Sequence, residues 1–364
     1  MVERVKIAAL EVIPYRLALQ GELKWGKHSS LTVAEHCLVL VRLEDGTLGT
    51  AEAPPRVSIY GETISSIRGI VKYLEPRLRD LEIEDAAGIR EVLSSVPNNN
   101  CAKGALDIAL WDARVKARGS SLMAALGGSQ RRIEVSYILG IGTLEAMLLE
   151  ARRVIAAGVR VLKVKVGRDT RHDLEVIAAL RAEFGDEVKL YADSNETLSP
   201  NSAPAALELM RDAGVLYVEE PLPVRGIRAR ADLRKQQILP IIADDSCFTS
   251  SDLERELDFE TFDILNIKTA RNGFTDSLAM MRMAAAAGKG VMIGSQASTT
   301  LGTIHAAIMA SRSEVTHPSE LSFFLKLKHD ITTRVPRIDS GYFDLEDALG
   351  ITVDDAKLEM ARIA

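Results

Sequence analysis

From Arg132 onward the chain repeats one pattern, a short apolar run followed by an alanine-rich amphipathic segment and then another apolar run. Eight such runs read as strands, over 133–139, 160–166, 187–193, 215–220, 239–244, 262–268, 290–296 and 320–325. Between them, stretches such as 144–157, 173–184, 200–213, 252–257 and 274–287 carry helical periodicity. Alternating strand and helix implies right-handed β-α units around a parallel sheet, and eight units favour closure into a barrel. An open doubly wound sheet is the alternative, but no G-x-G-x-x-G follows a strand to support a dinucleotide site. The expected fold class is therefore α/β, with a (β/α)8-type barrel over 127–326 carrying the active site.

The residues in front of the barrel follow another grammar. Residues 4–15 and 36–53 read as strands, and Asp45-Gly46 between two extended runs is a hairpin signal. Gln20 to Thr32, with Gly21, Trp25, Gly26 and His28, reads as a mobile loop, and 53–63 as a second irregular piece. Helical periodicity follows, first from an N-cap at Thr63 to about residue 79 and again from Cys101 to Arg118. Residues 1–126 are thus expected to form an α+β capping domain, to which 327–364, with a short helix near 353–360, returns.

The net charge of −6 and the lack of a Lys/Arg-rich block exclude a nucleic-acid surface. Cys37, Cys101 and Cys247 form neither a disulfide framework nor a C-x-x-C zinc site. No signal-peptide core occurs in Met1 to Gln20, and no run of about 18 apolar residues occurs anywhere. A cytoplasmic protein without nucleic-acid or membrane partners is expected, and a homo-oligomer.

At the C-terminal ends of successive strand candidates stand Lys163 and Lys165, then Asp193, Glu219, Asp244 and Lys268. Counted from Lys165 the steps are 28, 26, 25 and 24 residues, one β-α unit each. Barrel active sites are built at those strand ends, so this spacing sets three carboxylates side by side with lysines on either flank. Lys163 and Lys165, two apart on a strand, project from one face. Burial and like charge both disfavour the ammonium form, so at least one of the pair is expected to have a lowered pKa. Three converging oxygen ligands suit a hard cation such as Mg²⁺. Glu220 and Asp245 are rival ligands, since strand alternation lets only one of each adjacent pair point inwards. A lysine at a strand end also suits a Schiff-base aldolase, and a non-catalytic binding barrel is a third reading; the acids in register favour a metal.

Together these pieces resemble the enolase superfamily, and within it the muconate lactonising subgroup. The matching residues are Lys163 and Lys165, Asp193-x-Asn195, Glu219-Glu220-Pro221, Ala243-Asp244-Asp245-Ser246, Asn266-Ile267-Lys268 and, in front, Ala51-Glu52-Ala53-Pro54-Pro55. The resemblance implies that Asp193, Glu219 and Asp244 bind Mg²⁺ or Mn²⁺. It also implies that Lys165 and Lys268 face the α-carbon of a small carboxylate substrate from opposite sides, and that the reaction passes through an enediolate. Lys163, Ser295 and Gln296 are then expected to contact substrate, with His28, Tyr60 and Trp25 covering it from the front domain. Relatives that bind a dipeptide's ammonium tend to carry Asp-x-Asp at the eighth strand, where this chain reads Glu320-Leu321-Ser322. Many relatives also have a glutamate near the end of strand seven, where it reads Gly294-Ser295-Gln296. The expected reaction is cycloisomerisation of cis,cis-muconate to muconolactone with Lys165 carrying the proton. The alternative is racemisation or epimerisation of dipeptides or N-acylamino acids by 1,1-proton transfer.

Overall fold

The computed structural model describes residues 5–363; residue 4, where the first strand is expected to begin, lies outside the described residues. The front of the molecule is an antiparallel sheet of Ile7–Trp25, Ser29–Leu43 and Leu48–Ala53. Asp45-Gly46 makes its tight turn as expected, with Gly46 at φ 88° and the Leu43 N–H donating to Thr47 O at 2.9 Å. The stretch from Gln20 to Thr32 is not a loop. The first two strands run on through it, pairing Leu23 with Leu31 and turning only at Gly26–His28. A register shift between Ala18 and Leu23 absorbs the polar Gln20-Gly21-Glu22 segment that makes this stretch look irregular in sequence. The hairpin tip is fastened to the barrel: Ile141 N–H donates to Lys24 O at 2.9 Å and Arg168 Nε to Gly26 O at 2.7 Å.

Two long helices back this sheet. Ile64–Leu78 starts in a capping box in which Thr63 and Ser66 satisfy each other's backbone N–H groups. Asn100–Ala117 packs on Leu48–Ala53.

The barrel is a seven-stranded parallel sheet in sequential order: Ser136–Leu139, Val161–Lys165, Lys189–Asp193, Val215–Glu219, Ile241–Ala243, Ile264–Ile267 and Gly290–Ile293. Its strands are almost wholly buried, as a parallel sheet covered by helices requires. The expected eighth strand, 320–325, does not form. Ser319 and Glu320 alone fill that position, bonding Ser136 N–H to Ser319 O on one side and Glu320 N–H to Ile293 O on the other, each at 2.8 Å. Pro318 offers no N–H to extend the ladder backwards, and beyond Glu320 the chain turns into a short 3₁₀ helix, Phe323–Lys326. The ring therefore has eight positions, the last held by two residues.

The expected run 133–139 is also divided. Arg132–Glu134 pairs with Tyr342–Asp344 in a small antiparallel sheet, and the barrel begins at Ser136. After the barrel the chain reaches the front sheet through bridges Leu19–Leu327 and Tyr15–Arg362, and the helix Asp355–Ala361 lies against Ile7–Trp25. No helix among the described residues is long and apolar enough to cross a membrane.

Candidate active site

Strand register gathers the polar groups. Lys165 pairs with Asp193, and Asp193 with Glu219, so one row across three strands carries a lysine and two acids. Lys163 lies two residues earlier on the same face and is almost fully buried. Its Nζ donates to Glu219 Oε1 at 2.7 Å and Glu320 Oε1 at 2.5 Å, and sits 2.8 Å from Asp193 Oδ2. Lys165 Nζ donates to the same Asp193 oxygen at 2.5 Å and to Asn195 Oδ1 at 2.8 Å. Across the ring, Lys268 Nζ reaches Asp244 Oδ2 at 2.5 Å, and Arg271 Nη1 lies 3.2 Å from Asp244 Oδ1.

Charge pairing, not lysine–lysine repulsion, dominates this interior. Burial would lower the pKa of Lys163, but Asp193, Glu219 and Glu320 outweigh it and hold the pKa well above the ordinary value. Burial likewise disfavours the charge on Lys268, and Asp244 and Asp245 reverse that. The expected depression of a lysine pKa in the Lys163–Lys165 pair is thus corrected for Lys163. The acids divide: Asp193 and Asp244 are held below the carboxylate range, against burial, by their lysine and arginine neighbours. Glu219 is driven up by burial and by Asp193, Glu320 and Asp244, which together outweigh Lys163.

Of the rival acids, Glu220 points away. Its Oε1 accepts from Asp244 N–H at 2.8 Å and from Ser246 N–H at 3.1 Å, and burial pushes its pKa to about 7. It supports the next strand end and leaves Glu219 facing the lysines, as alternation predicts. Asp245 is different: it lines the cleft beside Asp244, so that pair is not resolved by alternation. The strand Ile241–Ala243 ends before both residues, and they sit in the loop beyond it.

The donor set fits a hard divalent cation. Asp193, Glu219 and Asp244 offer only carboxylate oxygens from adjacent strand ends, and Asp244 Oδ1 is buried without a well-formed hydrogen bond. In the arrangement described, lysine Nζ atoms stand between these acids, and no three His, Cys, Asp or Glu side chains among the described residues are drawn together as ligands.

These groups open into a narrow cleft of about 80 Å³ between barrel and front sheet. Lys163, Lys165, Asp244, Lys268, Ser295 and Gln296 line it, and so does Trp25 from the hairpin tip. Asp193 and Glu219 lie behind the lysines. His28 is exposed in the hairpin turn and does not line the cleft. The Tyr60 hydroxyl is buried without a hydrogen-bond partner and its ring packs on Phe248, outside the cleft wall. Arg56, Asn195, Glu320 and Ile59 also line the cleft; sequence reasoning placed Asn195 and Glu320 in motifs without giving them a role in the site, and passed over Arg56 and Ile59. Arg56 is buried and donates to the carbonyls of Glu35, Pro55, Gln296 and Ala297, and it pairs with no carboxylate among the described residues. Its position just after Pro54-Pro55, beside the front-domain motif, was the only signal for it in sequence.

A parallel barrel whose mouth interleaves buried acids with lysines, roofed by an α+β cap, defines a class of barrel enzyme with its site at the strand ends. The chain belongs to the mandelate racemase/muconate lactonizing enzyme group of the enolase superfamily. Residues 22–127 match the mandelate racemase/muconate lactonizing enzyme N-terminal domain, and residues 146–357 match the enolase C-terminal domain-like family. A muconate lactonizing enzyme from Mucobacterium Smegmatis, solved with muconolactone, superposes with a TM-score of 0.94 at 34% identity, covering 99% of this chain and 100% of that one. The L-Ala-D/L-Glu epimerase of Bacillus subtilis is 29% identical over 339 residues, 91% of this chain and 89% of that protein. A dipeptide epimerase from Enterococcus faecalis V583, solved with Mg and L-Leu-L-Tyr, has a TM-score of 0.89 at 26% identity, over 95% of this chain and 99% of that one.

Proposed function

We propose that this enzyme catalyses a 1,1-proton transfer at the α-carbon of an amino-acid derivative, epimerising a dipeptide or racemising an N-acylamino acid. One observation carries the reading. Lys165 ends the second strand of the ring and Lys268 follows the sixth, so they stand four places apart among eight positions and both line one cleft. Two proton carriers on opposite walls are what inversion at a carbon requires: one removes the α-proton and the other delivers a proton to the opposite face. Cycloisomerisation, the reaction expected from sequence, needs only one. The similarity to the Bacillus subtilis epimerase supports the same choice.

Asp193, Glu219 and Asp244 are the residues that would hold Mg²⁺ or Mn²⁺. A divalent cation bound there supplies Lewis-acid stabilisation of the negative charge that develops as the C–H bond breaks. Lys163, tied to three carboxylates, is not free to shuttle a proton and instead holds the charge balance beneath the substrate. Arg56, a buried cation with no acidic partner on the cleft wall, favours an anionic substrate.

A second reading, cycloisomerisation of cis,cis-muconate, is favoured by Glu320. Both its oxygens are engaged, one by Lys163 and one by the Ser295 N–H at 2.8 Å, so it does not stand free to pair with a dipeptide's ammonium. The deciding experiment offers purified enzyme and Mg²⁺ a panel of dipeptides, N-acylamino acids and cis,cis-muconate in D₂O. Exchange of the α-hydrogen in an amino-acid derivative, lost on chelation and dependent on both Lys165 and Lys268, is expected. Lactone formation with no exchange in any amino-acid derivative would overturn the proposal in favour of the second reading.

A further inference from the structure

Lys268 is carried by a turn that both domains hold: on the barrel side, Arg271 Nη2 donates to Asp244 O at 2.8 Å and Cys247 O at 3.2 Å, and Asn272 Nδ2 to Phe248 O at 2.7 Å. After the strand Ile264–Ile267, the Lys268 carbonyl accepts from Arg271 and Asn272 N–H at 3.0 and 3.1 Å, closing a single turn. Gly273 then breaks the helix at φ 63°, ψ −169°, and a new helical run begins at Phe274. A helix that restarts this way exposes its first N–H groups, which need acceptors. Both come from the capping domain: Asp107 Oδ2 accepts from Phe274 N–H at 2.6 Å and Thr275 N–H at 2.9 Å. Its Oδ1 accepts the Thr275 hydroxyl at 2.6 Å, to which Trp111 Nε1 also donates at 2.9 Å.

Asp107, Trp111 and Gly104 lie on one face of the helix Asn100–Ala117, at the i, i+3, i+7 spacing of a contact stripe. Gly104 is where that helix meets the turn most closely. A Cβ there would stand 3.0 Å from Ala270 O and 3.1 Å from both Arg271 C and Gly273 N, all backbone atoms. Gly273 is fixed from the other side, since its own Cβ would lie 2.5 Å from Asp107 Oδ2 and its φ is positive. The turn Lys268–Gly273 is thus gripped between the barrel loop 244–248 and a helix of the other domain. Lys165 sits inside its strand, with its partners Asp193 and Asn195 in the barrel, and the capping domain touches that strand end only further on, where Arg168 Nε donates to Gly26 O at 2.7 Å.

We propose that Gly104 and Asp107 are positioning residues for Lys268 and Arg271, so that the capping domain sets one of the two proton carriers and leaves the other to the barrel. This rests on the proton-transfer function proposed above. It predicts a one-sided defect. In steady-state turnover the two directions are tied together by the equilibrium constant, so the asymmetry must be read from isotope exchange. Each substrate epimer is incubated separately in D₂O with the magnesium-loaded enzyme, and initial α-deuterium incorporation is followed by NMR. Lys165→Ala and Lys268→Ala identify which epimer each lysine serves.

Gly104→Ala, which keeps every hydrogen bond and pushes the turn by tenths of an ångström, and Asp107→Asn, which removes the carboxylate acceptor, are then measured. Displacements approaching 1 Å cost about 100-fold in comparable positioning, so a loss of roughly tenfold is expected for the epimer served by Lys268. Exchange of the other epimer and both KM values should stay within about twofold. If Asp107→Asn fails to fold, Gly104→Ala carries the test alone. Equal losses for the two epimers, or none, overturn the positioning role while the lysine variants still separate the epimers. If the lysine variants do not separate them, the proton-transfer reading itself fails and this inference falls with it.

Discussion

Removing the ammonium of Lys163 without changing its bulk, as Lys163→Met does, should destabilise the metal-free enzyme strongly and in a pH-dependent way. Its Nζ lies within 2.8 Å of oxygens from Asp193, Glu219 and Glu320, all almost fully buried. Breaking a buried ion pair from one side costs about 3–5 kcal/mol, because the partner charge is left uncompensated. Three acids share the loss here, but protonation relieves part of it. Glu219 already has a raised pKa, from burial and its acidic neighbours, and losing Lys163 raises it further. An acid whose folded pKa exceeds its unfolded value contributes stability at low pH and loses it as pH rises through the folded value. The defect should therefore grow as pH rises from the ordinary glutamate range, towards about 3–5 kcal/mol once Glu219 ionises, a drop of roughly 6–15 °C at 2–3 °C per kcal/mol. Calorimetry in EDTA from pH 5 to 8 measures it. Mg²⁺ at about 100 times its Kd adds about 2.7 kcal/mol to either protein, and more to the variant if the cation takes over the role of the ammonium. A variant melting within 2 °C of the parent at every pH would show that Lys163 does not balance these acids.

Three further outcomes follow from the same geometry. Glu219→Gln should lose metal-dependent activity, whereas Glu220→Gln, which alters the support under Asp244 and Ser246, should lose less; the reverse ranking of kcat/KM would mean the strand end is misplaced. Burial disfavours the Glu52 carboxylate, but His36 and hydrogen bonds from Thr299 and Tyr15 hold its pKa at about 2, so roughly 3 kcal/mol should be lost as pH falls from about 4.5 towards 2. Glu52→Gln should be less stable at pH 7 and flat over that acid window, and an unchanged acid slope in the melting curves would refute it. Arg56→Met should raise KM for an anionic substrate by about tenfold with kcat changed less, since it removes a cation from the cleft wall; equal effects on an uncharged analogue would show that Arg56 acts only through the 296–297 backbone.

The barrel and its acids were legible because both depend on local period. Strand ends recur once per β-α unit, so Lys165, Asp193, Glu219, Asp244 and Lys268 announce a common rim by spacing alone. The eighth strand was misread because Leu321 to Leu325 is apolar enough for a strand, while pairing is decided by Pro318 and by neighbours the run itself does not reveal. The front hairpin was misread for the opposite reason: a bulge hides its alternation behind Gln20-Gly21-Glu22. Arg56 and Asp107 were passed over because their meaning lies in docking. Each is an ordinary charge in sequence until another domain presents carbonyls or helix N–H groups to it.

The lysine pKa shows where sequence-level electrostatics stops. Two lysines on one face repel, which is all that Lys163-Val164-Lys165 states. At 4 Å a unit charge pair is worth about 4 kcal/mol at an effective dielectric of 20, so three acids around Nζ outweigh one lysine neighbour several-fold. Those acids stand 30 to 157 positions along the chain, beyond any local window. The same pairing constrains catalysis. Lys165 and Lys268 each donate to an acid of the candidate metal set, so neither can exchange a proton with substrate while that acid holds it. A ligand that satisfies Asp193 and Asp244 in their place would free both lysines together, which ties proton transfer to occupation of the acid cluster rather than to the intrinsic basicity of either side chain.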